Sequence, residues 1–398
     1  MSTASDLTNL RHTLVSEIAS RRDLPASVAD AMSIVPRHLF LPGLDAALAY
    51  SDHAVTLKAN PRGPLALSCA SVPSMVALML TQLDLRPGHR VLEIGAGTGY
   101  NAALVAELVG PTGHVTTIDL DPGVALHARN SLDRAGYHQV TVMERDGLIG
   151  APEHGPYDRI IATAGMWDLP RSWWSQLTPT GRIVMPLRWR GQTRTMALDR
   201  VAGHPTDHLV ARSSELCGFI PFVGQDGEQV TSLLAETIRI HHDLDQPVAP
   251  SLLADAFTHN PVETWTDIQV GYGEPFDGIW LQAAASDDRI CRIEVAPMAS
   301  SSNVRTPLIP IRSPALVQGS SIAYLIGANN NTHLGAAGYG PRAAELTGDL
   351  VNHVRRWSAR RTAIPALTLF PLNRGIDVRA GGHARHHIVK ADSFLAFR

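Results

Sequence analysis

Cysteine is scarce in this chain: 398 residues carry three, Cys69, Cys217 and Cys291. They show no C-x-x-C spacing and are an odd set, which argues against a disulfide framework and for small, reduced core residues. Long apolar runs are also missing. None reaches the ~20 residues a membrane-spanning helix needs, and the first residues, Met1-Ser2-Thr3-Ala4-Ser5-Asp6, lack a basic segment ahead of an apolar one. A dominant charge is lacking too, with 34 Lys and Arg against 37 Asp and Glu. This balance predicts no nucleic-acid partner and no membrane contact. Cytoplasmic residence is the expectation that follows, and no internal repeat is present.

What the chain does have is apolar material, 44% of its residues, enough for two domains or one large one. Residues from about Thr8 to Ala31 alternate at helical spacing until Pro36 and Pro42 interrupt them. From Arg90 the rhythm becomes strand and helix in turn. Arg90–Ile94, His114–Asp119, Val140–Glu144, Tyr157–Thr163 and Gly181–Leu187 read as strands, with helical patterns at Tyr100–Leu108, Gly123–Ala135 and Leu169–Leu177. Such alternation predicts a parallel sheet with helices on both faces, and Thr193–Val201 with His208–Ser213 would add an antiparallel edge.

After about Gly227 the rhythm changes. Glu228–His241 reads as one amphipathic stretch, Gly278–Ala284, Ile290–Val295 and Ser321–Ile326 as strand-like, and Pro341–Arg361 as a helix. Ala366–Leu372 and Ile388–Phe397 read as closing strands, and the Gly-, Ser- and Asn-rich runs Ala299–Asn303 and Gly327–Gly340 as loops. The expected domains are a lead-in and substrate-covering segment (1–80), an α/β Rossmann-like domain (81–225) and an α+β domain (226–398).

The most informative stretch is Arg90-Val91-Leu92-Glu93-Ile94-Gly95-Ala96-Gly97-Thr98-Gly99-Tyr100. A buried strand runs there into a glycine turn that opens a helix, where a ligand can lie against bare peptide at the helix N-terminus. Gly-x-Gly-x-Gly differs from the Gly-x-Gly-x-x-Gly of dinucleotide sites and points instead to S-adenosyl-L-methionine. Gly95, Gly97, Thr98 and Gly99 would cradle that cofactor. Asp119 lies 24 residues after Gly95, near the ~20-residue offset of a ribose-binding acid, and Leu120 follows it. Asp121 before Pro122 reads as a helix N-cap. Asp146-Gly147 would meet the adenine, unless Asp146 is only a turn residue, and Glu93 would brace the glycine turn or form a strand-end salt bridge.

Pro36-Arg37-His38-Leu39-Phe40, Ala49-Tyr50-Ser51-Asp52, Val91 to Tyr100, Thr117-Ile118-Asp119, Asp146-Gly147 and Pro156 to Ala164 resemble, in that order, the motifs of the protein-L-isoaspartate O-methyltransferases. The resemblance covers roughly residues 10 to 220. It implies a Rossmann-like methyltransferase that leaves S-adenosyl-L-homocysteine as product. In that family a Thr-Ile-Ser segment followed by x-Pro lies over the methyl donor and holds the acceptor carboxylate. Here it reads Cys69-Ala70-Ser71-Val72-Pro73, so Ser71 matches while Cys69 and Ala70 depart. The extended length, with Cys217–Pro221 and Glu274–Leu281, resembles methyltransferases that mature ribosomally made peptides, the lanthipeptide-associated FxLD group above all and the graspetide group.

That resemblance implies methylation of an aspartyl side chain in such a peptide, leading to aspartimide; isoaspartate repair and a non-catalytic binding module are the alternatives. Cys69, Ala70, Ser71 and Val72 would contact the acceptor. Ser71 would hold its carboxylate or cap the helix at Pro73, and Arg37 and His38 would orient it, Arg37 reading equally as a salt bridge from the lead-in to the sheet. His241-His242 and His383-x-x-His386-His387 lack a carboxylate or cysteine set, so no metal is expected. Trp167, Trp173 and Trp174 read as core or as the wall of a peptide cleft.

Overall fold

The computed structural model describes residues 3–61, 66–203, 207–271, 273–296, 303–309, 312–330, 332–372 and 386–398. Two helices, α1 (Ala4–Arg21) and α2 (Ala26–Ile34), open the chain. Thr3 and Asp6 close a reciprocal capping box at the start of α1. A short α3 (Ala46–Ala49) and a ribbon of β1 (Val55–Lys58) with β2 (Ser68–Ala70) lead to α4 (Pro73–Leu83). The alternating region then supplies β3 (Arg90–Ile94), α5 (Tyr100–Val109), β4 (His114–Asp119), α6 (Pro122–Arg134), β5 (Thr141–Glu144), β6 (Tyr157–Ala162), α7 (Arg171–Gln176) and β7 (Leu177–Trp189). Strands β8 (Gln192–Val201) and β9 (His208–Leu216) follow as an antiparallel meander.

β3 pairs in parallel with β4 on one side and β6 on the other. Chain order reverses across β3, so a crevice opens at its carboxyl end, where parallel α/β sheets bind ligands. The expected parallel sheet with an antiparallel edge is therefore present, with the glycine turn at its switch point.

Beyond β9 come β10 (Glu228–Leu233), β11 (Ile238–Asp243), α8 (Pro250–Leu253), β12 (Val262–Gln269), α9 (Gly278–Ala284), β13 (Ile290–Val295), β14 (Ser313–Gln318), β15 (Ser321–Ala328), β16 (His333–Tyr339) and α10 (Ala343–Ser358). The strands form a seven-stranded antiparallel sheet, ordered β10-β11-β13-β14-β15-β16-β12. Three expectations are corrected here. Glu228–His241 is a hairpin, because Leu234, Ala235 and Glu236 turn back through positive φ. Gly278–Ala284 is a helix, and the Gly327–Gly340 loop contains strand β16. Of Ala299–Asn303, all but Asn303 lies outside the described residues.

The closing strands β17 (Leu367–Pro371), β18 (His386–Val389) and β19 (Ser393–Phe397) do not join that second sheet. They extend the first one, β17 pairing with β9, so the ten-stranded sheet runs β18-β19-β17-β9-β8-β7-β6-β3-β4-β5. The border expected at residue 226 is thus crossed twice, since an exposed β9 edge is satisfied by residues from the far end. The core is continuous across it as well: Ile94, Trp189, Trp280, Leu325 and Trp357 belong to one buried cluster. Burial of each such side chain contributes roughly 1.5–3 kcal/mol. Among the described residues no helix is long and apolar enough to cross a membrane.

Candidate functional site

The glycine turn is built as its sequence demands. Gly95, Gly97 and Gly99 all have positive φ, 96°, 53° and 85°, a region costly for residues with a Cβ. A Cβ on Gly95 would sit 2.4 Å from Thr163 Oγ1, and Thr163 itself donates to the carbonyls of Ile94 and Gly95 at 3.1 and 2.8 Å. Thr163 is a support that sequence reasoning missed. Its position directly after β6, beside β3, was the signal available.

Glu93 lies beneath the turn, fully buried. It accepts from Asn101 Nδ2 at 2.7 Å and from Thr117 Oγ1 at 2.5 Å, so its carboxyl braces β3 against α5 and β4. Burial pushes its pKa up to about 7, against the lowering effect of those two bonds.

Asp119 ends β4 at the crevice. Its Oδ2 accepts from Gly97 N–H at 3.2 Å and its Oδ1 from Asp121 N–H at 3.1 Å, while partial burial raises its pKa. The adjacent Leu120 is 51% exposed, an apolar side chain left at the crevice rim. Asp121 caps α6 through the N–H groups of Gly123 and Val124, as its sequence position implied, and also pairs with Lys58. Thr98 Oγ1 accepts from Tyr100 N–H at 3.2 Å.

Asp146 accepts from Leu148 N–H at 2.8 Å through Oδ1, so the turn role is real. Gly147 after it is closely packed: a Cβ there would come within 2.5 Å of Ile94 and 2.8 Å of Phe222. Phe222 belongs to a strap, residues 217–222, that runs beside Gly165; Gly165 N–H donates to Ile220 O and Phe222 N–H to Gly165 O. This strap was read from the sequence only as a resemblance, because an irregular segment has no periodicity.

On the opposite wall lies the Cys69-to-Val72 segment. The Cys69 carbonyl is 3.9 Å from where a Cβ on Gly97 would stand, so this segment lies directly over the glycine turn. Cys69, Ser71 and Val72 are half-buried and Ala70 is buried; burial raises the pKa of the Cys69 thiol. Ser71 is not the cap of α4: Val72 occupies that position without a side-chain bond, and Asp52 accepts from Ser74 N–H at 2.8 Å instead. Arg37 is 1% exposed and donates to the carbonyls of Ala49 and Ser71, with its guanidinium 5.0 Å from the Tyr100 ring centroid. The salt bridge to the sheet expected as its alternative is replaced by these backbone bonds. His38 Nδ1 lies 2.8 Å from Tyr50 Oη.

Trp173 and Trp174 are core, and Trp173 donates to Gly147 O at 2.8 Å. Trp167 is half-buried under Lys390, 4.0 Å from its ring centroid. Cys217 and Cys291 are buried and free. His241 is near Glu228, Glu294 and Arg292, His242 near Thr231, and His386 near Asp288, while His383 lies outside the described residues. Among the described residues no three His, Cys, Asp or Glu side chains converge to hold a metal ion.

Residues 9–227 match the family model described as protein-L-isoaspartate(D-aspartate) O-methyltransferase. A protein-L-isoaspartate O-methyltransferase of Methanopyrus kandleri is 43% identical over 203 residues, 51% of this chain and 85% of its own length. A solved protein-L-isoaspartate O-methyltransferase aligns over 90% of this chain and 96% of its own, with TM-score 0.49 and 20% identity. A Plasmodium falciparum structure named for the same activity, in complex with S-adenosyl-L-homocysteine, covers 54% of this chain and 99% of its own, with TM-score 0.45 and 17% identity.

Proposed function

Because this chain belongs, through residues 9–227, to the protein-L-isoaspartate(D-aspartate) O-methyltransferase family, we propose that it methylates the free carboxylate of an isoaspartyl residue in a polypeptide, using S-adenosyl-L-methionine. The observation that carries this reading is the stacking of two segments. The Cys69-to-Val72 segment, whose Ser71 matches the serine of the family's acceptor-holding element while Cys69 and Ala70 depart from it, lies over the glycine turn at Gly97.

The residues fit the cofactor. Gly95, Gly97 and Gly99 hold the positive-φ turn that would carry the cofactor, Asp119 would offer acceptor oxygens at the strand end for ribose hydroxyls, and the exposed Leu120 beside it would meet the adenine. Asp146 is available for the adenine amino group. Glu93, already satisfied by Asn101 and Thr117, acts by stiffening the turn and not by contact. Bound there, the cofactor supplies a methyl group on a positively charged sulfur, an activated leaving group.

An acceptor carboxylate is ionised at neutral pH, so no side chain is needed as a base. What remains is alignment, which can contribute up to ~7–11 kcal/mol. Ser71 Oγ would orient the carboxylate, and Arg37 would hold Ser71 in place through its carbonyl. His38, bonded to Tyr50, would line the entrance.

Methylation of an ordinary aspartate in a ribosomally made peptide is the second reading, motivated by Cys217–Pro221 and Glu274–Leu281 and by the added residues beyond 227. The named relatives favour isoaspartate. The test is incubation with methyl-tritiated cofactor and two peptides, one isoaspartyl and one a constrained aspartyl peptide. Base-labile label on the isoaspartyl peptide is expected; preference for the aspartyl peptide would transfer the assignment to peptide maturation. Label on neither would overturn both.

A further inference from the structure

The turn between β18 and β19, far beyond the residues that match the family, reaches back to the loop that leaves β6. Lys390 Nζ donates to the carbonyls of Trp167 and Arg188, the second at 2.5 Å, and its ammonium stands 4.0 Å from the Trp167 ring centroid. Two residues on, Asp392 N–H donates to Asp168 Oδ2 at 2.6 Å, and Ser393 Oγ donates to Asp168 Oδ1 at 2.5 Å. Lys390 and Asp168 are both buried, 7% and 3% exposed.

The loop gripped in this way supports the cofactor crevice. At its near end Thr163 donates to the Gly95 carbonyl at 2.8 Å. In its middle Gly165 is bonded through both N–H and carbonyl to the strap, at Ile220 and Phe222. At its far end the Gln225 side chain accepts from the N–H groups of Trp167 and Asp168 at 2.8 and 3.1 Å and donates to the Asp168 carbonyl at 3.0 Å. The Trp167 ring also lies against Gly227, where a Cβ would stand 1.9 Å from its Nε1. Phe222 packs on Gly147 beside Ile94, the strand residue from which the glycine turn starts. Loop and strap are therefore one unit, and the tail fastens it at Trp167 and Asp168.

An ammonium is costly to bury, and an apolar side chain would fill the same space without that cost. What the ammonium adds is a set of charge-assisted donors that converge on two separate segments, together with attraction to an indole face. It ties the loop after β6 to the end of β7.

We propose that Lys390 is a positioning residue for the methyl donor: by fixing Trp167 it holds the loop and strap that support the glycine turn and the Gly147 end of the crevice. The proposal rests on the reading of this crevice as the cofactor site and is independent of which carboxylate is methylated.

Burial is the chief influence on the Lys390 ammonium and lowers its pKa to about 8; among the described residues Asp243 and Asp168 resist that lowering, while Arg190 and Arg188 add to it. The grip should therefore weaken as pH rises through about 8. Calorimetry of the full chain with S-adenosyl-L-homocysteine reads this without turnover. At pH 7 Lys390→Met should bind about tenfold more weakly than the native protein. The native protein should itself lose about fivefold between pH 7 and pH 9, whereas Lys390→Met should change little, which removes any ionisation of the ligand from the comparison. Gln225→Ala frees the same loop without emptying a site for a buried charge, and should weaken binding at pH 7 by a similar factor. That variant and the native pH profile decide the matter if Lys390→Met does not fold. Native affinity in folded Lys390→Met, even with a lowered melting temperature, would overturn the proposal. So would a flat native profile, or a loss at pH 9 shared equally by the variant. Absence of binding by the native protein would overturn the cofactor reading with it.

Discussion

Arg37 and Ser71, 34 residues apart in sequence, are joined by a 3.0 Å bond from the Arg37 guanidinium to the Ser71 carbonyl. A second bond, to Ala49 O at 2.9 Å, and the Tyr100 ring complete its burial. The lead-in region thereby fixes the height of the Cys69-to-Val72 segment above the glycine turn.

Arg37→Ala should therefore act through Ser71. Two buried carbonyls lose a charged donor, a cost of roughly 2–4 kcal/mol, and kcat/KM should fall at least tenfold while cofactor affinity changes less than threefold. Steady-state kinetics beside calorimetry with S-adenosyl-L-homocysteine would separate the two. Equal loss in both would assign Arg37 to the general fold. Ser71→Ala, which keeps the carbonyl, should lower kcat without melting the protein.

Asp119→Ala should show the opposite pattern. Loss of charged acceptors for ribose hydroxyls is expected to cost about 1.5–3 kcal/mol, or roughly ten- to hundredfold in affinity for S-adenosyl-L-homocysteine. Calorimetric binding within threefold of native would remove Asp119 from the site.

Glu93 predicts a pH dependence of stability. Burial raises its folded pKa to about 7 from an ordinary 4.5, so the folded state holds a proton that the unfolded chain has released. The stability linked to this group is present in full below about pH 4.5 and is lost as pH rises toward 7. Glu93→Gln, an analogue of the protonated acid, should remove that slope, on the order of 3 kcal/mol across the window. Denaturant melts of both proteins between pH 4.5 and 7.5 would test it, and parallel curves would refute it.

At the junction of the two sheets, the β7–β8 turn carries Arg190, fully buried at a φ of +48°, within 3.2 Å of Asp243, Asp245 and Asp288. A Cβ on the adjacent Gly191 would meet the Arg292 backbone N at 2.7 Å. Both Arg190→Ala and Gly191→Ala should destabilise by about 3 kcal/mol or more, the first by leaving the buried carboxylate of Asp243 uncompensated, the second by strain and overlap. Thermal melts would check this, and a change under 1 kcal/mol would show the junction to be soft.

The cofactor half was legible because each of its signals is local. A buried strand, three glycines with positive φ and an acid at the end of the next strand lie in one 30-residue span, and local chemistry sets local backbone. Residues beyond 227 were harder for equally physical reasons. Leu234, Ala235 and Glu236 reverse the chain without the glycine or asparagine that normally marks such a turn. Ile279-Trp280-Leu281 is an apolar run buried all round, which no periodicity can assign to helix or strand. The partners of Arg37 and Arg190 depend on distant segments and leave no trace in neighbouring residues.

The return of β17 to β9 has a consequence for biosynthesis. A ribosome delivers β9 long before Thr368 and Leu369 are available to bond Leu209 and Val210, so the nascent methyltransferase sheet waits with a naked flank. Shortened forms ending near residue 360 should accumulate in inclusion bodies, and co-expression of the missing tail as a separate peptide should return them to the supernatant.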